Sequence, residues 1–244
     1  MRPALALAFA LVACGGTVAT TPAEKDAGPT CPVLPGTAAE LASTPRADAN
    51  LELLALATWP EDVIASQVHY DRIVADVHAA RKLDAAIAGA GYFPRGDGRV
   101  WLIDAADVAT ADRMSNGSYD AWDCLNAHFG KVRLTRIGST STAFRLELEG
   151  RYQNEIVRAL YAALPSVTSV YFGGPGSGPT ICATDEGTRM VYAIDQASGD
   201  CPAGCTTHDW WLVTSTAPGV VTLAGHQPDG GGPAPDWLTR YGCR

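Results

Sequence analysis

The chain has no long apolar run after its first fourteen residues. Nothing beyond that point approaches the ~20 consecutive apolar residues that a membrane-crossing helix needs. Positive charge is scarce as well: 18 Lys and Arg stand against 26 Asp and Glu, for a formal charge of −8. Such a chain offers no electrostatic footprint to phosphate backbones and is repelled by anionic lipid surfaces, which excludes nucleic acid as a partner. Catalytic signatures are also missing. There is no Gly-x-Ser-x-Gly elbow, since Ser177 has Pro175 where the first glycine belongs and precedes a strand, not a helix. "GGPGSGP" (residues 173–179) fits neither Gly-x-Gly-x-x-Gly nor a P-loop, and reads as a hairpin loop. Five histidines are scattered through the chain, with no Cys-x-x-Cys and no His-x-x-x-His. No catalytic constellation forms and no cofactor is implied, which points away from an enzyme.

What is present begins at the N-terminus. "MRPALALAFALVAC" has a positive start at Arg2 and an apolar run from Ala4 to Ala13, the form of a secretory signal core. Leu11-Val12-Ala13-Cys14-Gly15 resembles a bacterial lipobox. The resemblance implies removal of residues 1–13 and lipidation of Cys14 as the new N-terminus. Gly16 stands where an aspartate would resemble an inner-membrane retention signal, so an outer-membrane or periplasmic lipoprotein is expected, held to the membrane by lipid. Residues 14–49, rich in Thr, Ala, Pro and Gly, read as the lipidated N-terminus and a flexible tether. Residues 50–244 then form a single domain, with 50–175 and 176–244 as a candidate subdivision.

Beyond Cys14 there remain Cys31, Cys124, Cys182, Cys201, Cys205 and Cys243. An even number in an oxidising compartment reads as disulfides, and six cysteines allow fifteen pairings. Pro202 and Gly204 favour a tight reversal, making Cys201–Cys205 the natural local pair. Cys31 and Cys243 lie near the two ends, and a bridge between them would close the chain.

Along the chain, "LELLALAT" is ambiguous between strand and short helix. "QVHYDRIVADVHAARKL" places Tyr70, Ile73, Val74 and Val77 on one helical face. "RVWLIDA" reads as a strand, followed by a helical segment to about Met114. "SYDAWDCLNAHFG" reads as a helix capped by Ser118 or Asp120 and stopped by Gly130. "KVRLTRI" and "AFRLELEG" alternate as paired strands, and "YQNEIVRALYAAL" is an amphipathic helix with Ile156, Leu160 and Leu164 on one side. "VTSVYF", "TRMVYAID", "DWWLVTST" and "GVVTLAG" read as further strands. The expected fold is α+β, with ferredoxin-like strand and helix layers, an antiparallel β-rich C-terminal extension, and disulfide stabilisation.

The candidate site is "GDCPAGCTTHDWW", residues 199–211. Trp210 and Trp211 are adjacent on a strand and point to opposite faces, so one is a candidate ligand contact. Cys201, Cys205 and His208, with Asp200 or Asp209, form an alternative zinc set, opposed by the oxidising compartment. Asp120, Cys124 and His128 share a helical stripe, read chiefly as an acidic start, a bridged cysteine and a histidine at the helix's negative end, with Asp123 beside them. His69 (beside Asp71), His78 and His226 have no identifiable partner set.

"YDRIVADVHAAR", "YDAWDCLNAHFG", "LELEGRYQNEIVRALYAALPSVTSVYF" and "SGDCPAGCTTHDWWLV" together resemble a family of uncharacterised exported bacterial proteins. In that family a Gly-Asp-Cys-Pro-x-Gly-Cys clip precedes an aromatic strand. The resemblance implies no activity and no catalytic residue. "LEGRYQNEIVRALYAALPSVTSVYF" separately resembles the strand–helix–strand of subtilisin-propeptide inhibitor domains, with Ser166 where a turn glycine is usual and Gly173-Gly174 where proline-asparagine is usual. Three expectations follow: a non-enzymatic envelope lipoprotein that binds or scaffolds a protein or small molecule, a protease-inhibitor-like binding module, or, behind both, a metal-binding protein using the Cys201–His208 region.

Overall fold

The computed structural model describes residues 34–36, 41, 46–90, 98–172, 180–199, 205–228 and 233–243. Cys14, Cys31, Cys201, Asp200 and the 173–179 loop lie outside them. Helices begin where short side-chain acceptors stand. Asp48 accepts from the Asn50 and Leu51 amides at 3.0 and 3.1 Å and opens α1 (Ala49–Thr58). Ser66 accepts from the His69 amide and opens α2 (Gln67–Ala80). Asp107 accepts from the Thr110 amide at 2.6 Å and opens α3 (Val108–Asn116), and that bond holds its carboxyl below the usual aspartate value. A cap of this kind is typically worth about 1 kcal/mol. Helix α1 resolves the ambiguous "LELLALAT". Residues 51–56 are all buried, so the middle of the helix is covered all round and its sequence carries no single apolar stripe.

The first sheet is built from β1 (Val100–Ala105), β2 (Lys131–Arg136), β3 (Ala143–Leu148) and β4 (Val167–Phe172). Helix α3, a 3-10 turn at Asp120–Trp122 and α4 (Asp123–His128) lie between β1 and β2, and α5 (Asn154–Ala162) lies between β3 and β4. The strand order is β2-β3-β1-β4, and every neighbouring pair is antiparallel. It follows that β1 and β2 run parallel with β3 between them, and β3 and β4 run parallel with β1 between them. Period-two alternation sends Trp101, Ile103, Phe144, Leu146, Leu148 and Val170 to one face. There they pack with Leu125, Phe129, Val157 and Tyr161 of the helices. Arg133, Thr135, Arg145 and Tyr171 lie exposed on the other side.

Two local expectations are corrected. Helix α5 turns Val157 and Tyr161 into the core, while Ile156, Leu160 and Leu164 flank them half-buried. A tyrosine can sit at the centre because its hydroxyl donates to Asn126 Oδ1 at 3.0 Å. Neither Ser118 nor Asp120 caps the next helical segment. Its N-cap is Tyr119, without a side-chain bond, because Ser118 gives both its amide and its hydroxyl to Asn116 Oδ1. Gly130 does end α4's turn, at φ +63.

The second sheet is an antiparallel meander of β5 (Thr180–Asp185), β6 (Met190–Ser198), β7 (Thr207–Ala217) and β8 (Val220–Gln227). On one face Ile181, Tyr192, Ile194, Trp211 and Val213 pack against α1 and α2. On the other, Val191, Ala193 and Leu212 are covered by a short C-terminal helix, α6 (Trp237–Tyr241). Helices α1 and α2 therefore precede the first sheet in sequence yet cover the second, so the packing does not follow a division at 175/176. Residues 31–244 form one unit. Part of the expected tether also belongs to this body: Leu41 is buried in the first sheet's core, and the Pro35 carbonyl lies 3.1 Å from His128 Nε2. Among the described residues no helix is long and apolar enough to cross a membrane.

Candidate functional site

Strand β7 carries the aromatic pair. Trp211 faces α1 and α2, is 1% exposed, donates from Nε1 to Asp84 Oδ2 at 3.3 Å, and lies under the His226 ring at 4.9 Å. Trp210 faces the opposite side, is 8% exposed, and stacks on His208 at 5.4 Å. Each indole is thus nearly buried and stacks on an imidazole of the fold.

His208 is held from both ends. Its Nδ1 lies 2.9 and 3.0 Å from the two Asp195 carboxylate oxygens, and its Nε2 lies 3.3 Å from the Cys205 carbonyl. Cys205 is disulfide-bonded, so it offers no thiolate, and the alternative zinc set of Cys201, Cys205 and His208 loses a ligand. Asp209, the next residue on the strand, points away from His208's face. Among the described residues no group of three His, Cys, Asp or Glu could hold a metal ion. Cys243 pairs with Cys182, which corrects the expected Cys31–Cys243 bridge. Cys124 is disulfide-bonded too, so the Asp120, Cys124 and His128 stripe is likewise without a thiolate.

Two arrangements escaped the sequence reading. His69 bonds Asp62, not Asp71: its Nδ1 is 2.6 Å from Asp62 Oδ2, and its ring stacks on Trp59 at 3.9 Å. Asp71 accepts from Gln67 instead. The second arrangement centres on Asp76, which is fully buried. Its Oδ2 accepts from Arg72 Nε at 2.7 Å and Tyr192 Oη at 2.8 Å. Its Oδ1 accepts from Ser215 Oγ at 2.8 Å and the Gly219 amide at 2.7 Å. A sequence signal existed: Asp76 lies between Ile73, Val77 and Ala80 on the buried stripe of α2. Serine, tyrosine, carboxylate and guanidinium meet here, yet Ser215 and Tyr192 have no exposed surface through which a substrate could reach them. Burial, reinforced by the Asp76 carboxylate, pushes the Tyr192 hydroxyl well above the ordinary tyrosine value and keeps it a donor. The network joins α2 to β6 and β7.

Among the described residues several cavities open on the surface. One of about 410 Å³ lies between α1, β5 and the C-terminal residues. One of about 290 Å³ lies beside Leu41 and residues 61–66, and one of about 150 Å³ lies beside Trp59, Arg72 and Asp185. No protein family, curated protein or solved structure matches the chain. The arrangement itself must therefore carry the functional argument.

The first sheet also leaves one face exposed. Across it Thr135, Arg145, Leu102 and Tyr171 stand in register on the four strands, with Arg133 opposite Glu147 in the adjoining row. Arg136 and Arg151 are engaged by Asp112 and Glu52. Arg133 and Arg145 are exposed and make no ion pair among the described residues.

Proposed function

We propose that this chain is a non-enzymatic exported lipoprotein, anchored through Cys14 at the bacterial cell envelope, that binds an envelope partner through the uncovered face of its first sheet. The observation that carries the binding surface is that face: two unengaged arginines and an exposed Tyr171 in an otherwise acidic protein, on a sheet whose other side is sealed by helices. An antiparallel sheet ordinarily keeps one face in water, and on this one Arg133 and Arg145 stand beside Glu147 and Asp104. The anchor is supported by Leu11-Val12-Ala13-Cys14 and the short apolar core before it.

A photo-crosslinking side chain at position 145, in the exporting bacterium, is expected to give a discrete adduct. The same group at position 158, on the solvent side of α5, serves as the control. Identical patterns from the two positions, or none at 145, would reject the binding face. Palmitate labelling that survives Cys14→Ser would reject the anchor.

A second reading is favoured by one observation. The segment resembling subtilisin-propeptide inhibitors folds as β3–α5–β4, with the two strands parallel and β1 between them, an order that fits a ferredoxin-like unit over residues 100–172. The reading then is a protease-inhibitor-like module presenting the same face. Unimpeded peptide hydrolysis by subtilisin in the presence of the protein would discard it.

A further inference from the structure

The 410 Å³ cavity is bounded by Cys182, Ala183 and Thr184 of β5, by Leu54 and Ala57 of α1, and by residues 240–243. Successive strand residues point to opposite faces, so a cavity touching all three, with α1 on one side and the C-terminal segment on the other, must lie along the strand's outer edge. Strand β5 is an edge strand, bonded only to β6 within its sheet. Alternate residues of such a strand turn their N–H and C=O groups away from the neighbour. No backbone group outside the sheet pairs with Cys182–Thr184 among the described residues. The groove is thus floored by free backbone donors and acceptors. It is walled by apolar Leu54, Ala57 and the Tyr241 ring, and carries Arg240 at its rim.

We propose that this groove takes a short extended peptide bearing a carboxylate, which adds to β5 as a fifth strand. Backbone pairing along an exposed edge is a general mode of peptide recognition, and alternate side chains of the added strand would enter the two walls. Cys182–Thr184 spans about 7 Å, room for roughly three residues of the ligand. The carboxylate preference follows from Arg240. Its side chain is 70% exposed, stacks on Tyr241, and shares Glu186 with Arg189, so two guanidinium groups face one carboxylate. A second copy of this chain is the poorer occupant. Its own β5 edge is recessed between the same walls, and two recessed edges cannot meet. The proposal is independent of the first sheet's face.

The test uses the full chain and an acetylated hexapeptide of alternating Thr and Val with a free C-terminus. Its C-terminal amide and a version N-methylated at alternate residues are run beside it, at millimolar concentration. The free acid is expected to shift the amide resonances of Ile181–Asp185 and to slow hydrogen exchange at alternate positions of β5. The amide should bind several-fold more weakly, and the N-methylated peptide should leave β5 unchanged. Ala57 is solvent-exposed, so Ala57→Glu should fold and weaken the free acid several-fold, whereas Ala57→Gln should not. Arg240→Gln should make acid and amide equal. An unperturbed β5 would overturn the proposal, as would undiminished binding of the N-methylated peptide, or a concentration-dependent dimer protecting the same amides without peptide.

Discussion

Replacing Asp76 by asparagine keeps the shape of the side chain and should still damage the protein severely. Each carboxylate oxygen of Asp76 accepts two hydrogen bonds, and on each side one donor has no alternative role. Arg72 Nε–H faces Oδ2, and the Gly219 amide faces Oδ1. The Tyr192 and Ser215 hydroxyls can rotate and accept, but a guanidinium or backbone N–H cannot. Whichever way an asparagine amide is turned, its NH₂ therefore meets a group that only donates. Leaving a buried donor unsatisfied costs about 1–3 kcal/mol, and stripping one partner from a buried ion pair about 3–5 kcal/mol. Arg72 retains a bond from Nη2 to the Ser215 carbonyl, and its side chain is 20% exposed, so water relieves part of the cost. The net expectation for Asp76→Asn is a loss of about 3 kcal/mol, within those bounds. With a urea m-value of about 2 kcal/mol/M, the midpoint falls by roughly 1.5 M. Tyr192→Phe or Ser215→Ala should cost about 1 kcal/mol each and should not rescue Asp76→Asn, because neither removes the conflicting N–H. An Asp76→Asn midpoint within about 0.3 M of the parent would refute the reasoning, as would rescue by either second substitution.

Three further outcomes are expected. Tyr161 and Tyr192 are held neutral well above the ordinary tyrosine value, chiefly by burial. The unfolded chain therefore sheds these protons first, near its value of about 10, and stability falls as pH rises above that point. Denaturant unfolding followed across this range should show a slope that Tyr161→Phe and Tyr192→Phe flatten; an unchanged slope would discard their role. Cys182–Cys243 closes a loop of 61 residues, so Cys182→Ser with Cys243→Ser should cost up to about 4 kcal/mol on the chain-entropy account. Calorimetry of the pair variant would detect this, and an unchanged transition would mean that other constraints already fix α6. Ser166 adopts φ +60, alone among described non-glycine residues, in the turn where the inhibitor-like pattern has glycine. Ser166→Gly should therefore stabilise by about 0.5–1 kcal/mol, and a destabilised variant would show that the serine side chain compensates for its backbone.

The strands of both sheets were legible wherever one face alone is buried, because alternation then survives in the sequence. Strand β3 reads Phe144, Leu146, Leu148 inward and Arg145, Glu147 outward, and its partner β2 and the turn between them were evident for the same reason. Strand β5 was missed. Its Cys182 and Thr184 lie toward the C-terminal segment and Ile181 and Ala183 toward α1, so neither face is plainly wet. Helix α6 is five residues long, too short for a helical period to show. Helix α1 hid its type because its middle is covered all round. Its pairing with the second sheet is a contact between residues more than a hundred positions apart, such as Trp59 Nε1 to Asp185 Oδ2 at 3.0 Å, which no local pattern encodes.

The residues that looked most like chemistry are used for closure. Three imidazoles lie nearly parallel on three indoles: His69 on Trp59, His208 on Trp210 and His226 on Trp211, with ring planes within 9° of each other. Tryptophan is too large to bury easily to the last atom, and a flat imidazole over its face seals what the strands and helices leave open. In two of the three pairs an aspartate on Nδ1, Asp62 or Asp195, fixes the ring in that position. "GDCPAGCTTHDWW" thus stacks its histidine on Trp210 and ties the Cys205 sulfur into a disulfide. The proposed binding surfaces are of a different kind. Unengaged arginines on a sheet face and an unpaired strand edge have no motif, because ordinary residues and the backbone make them. They become visible only once topology decides which face and which edge are left in water.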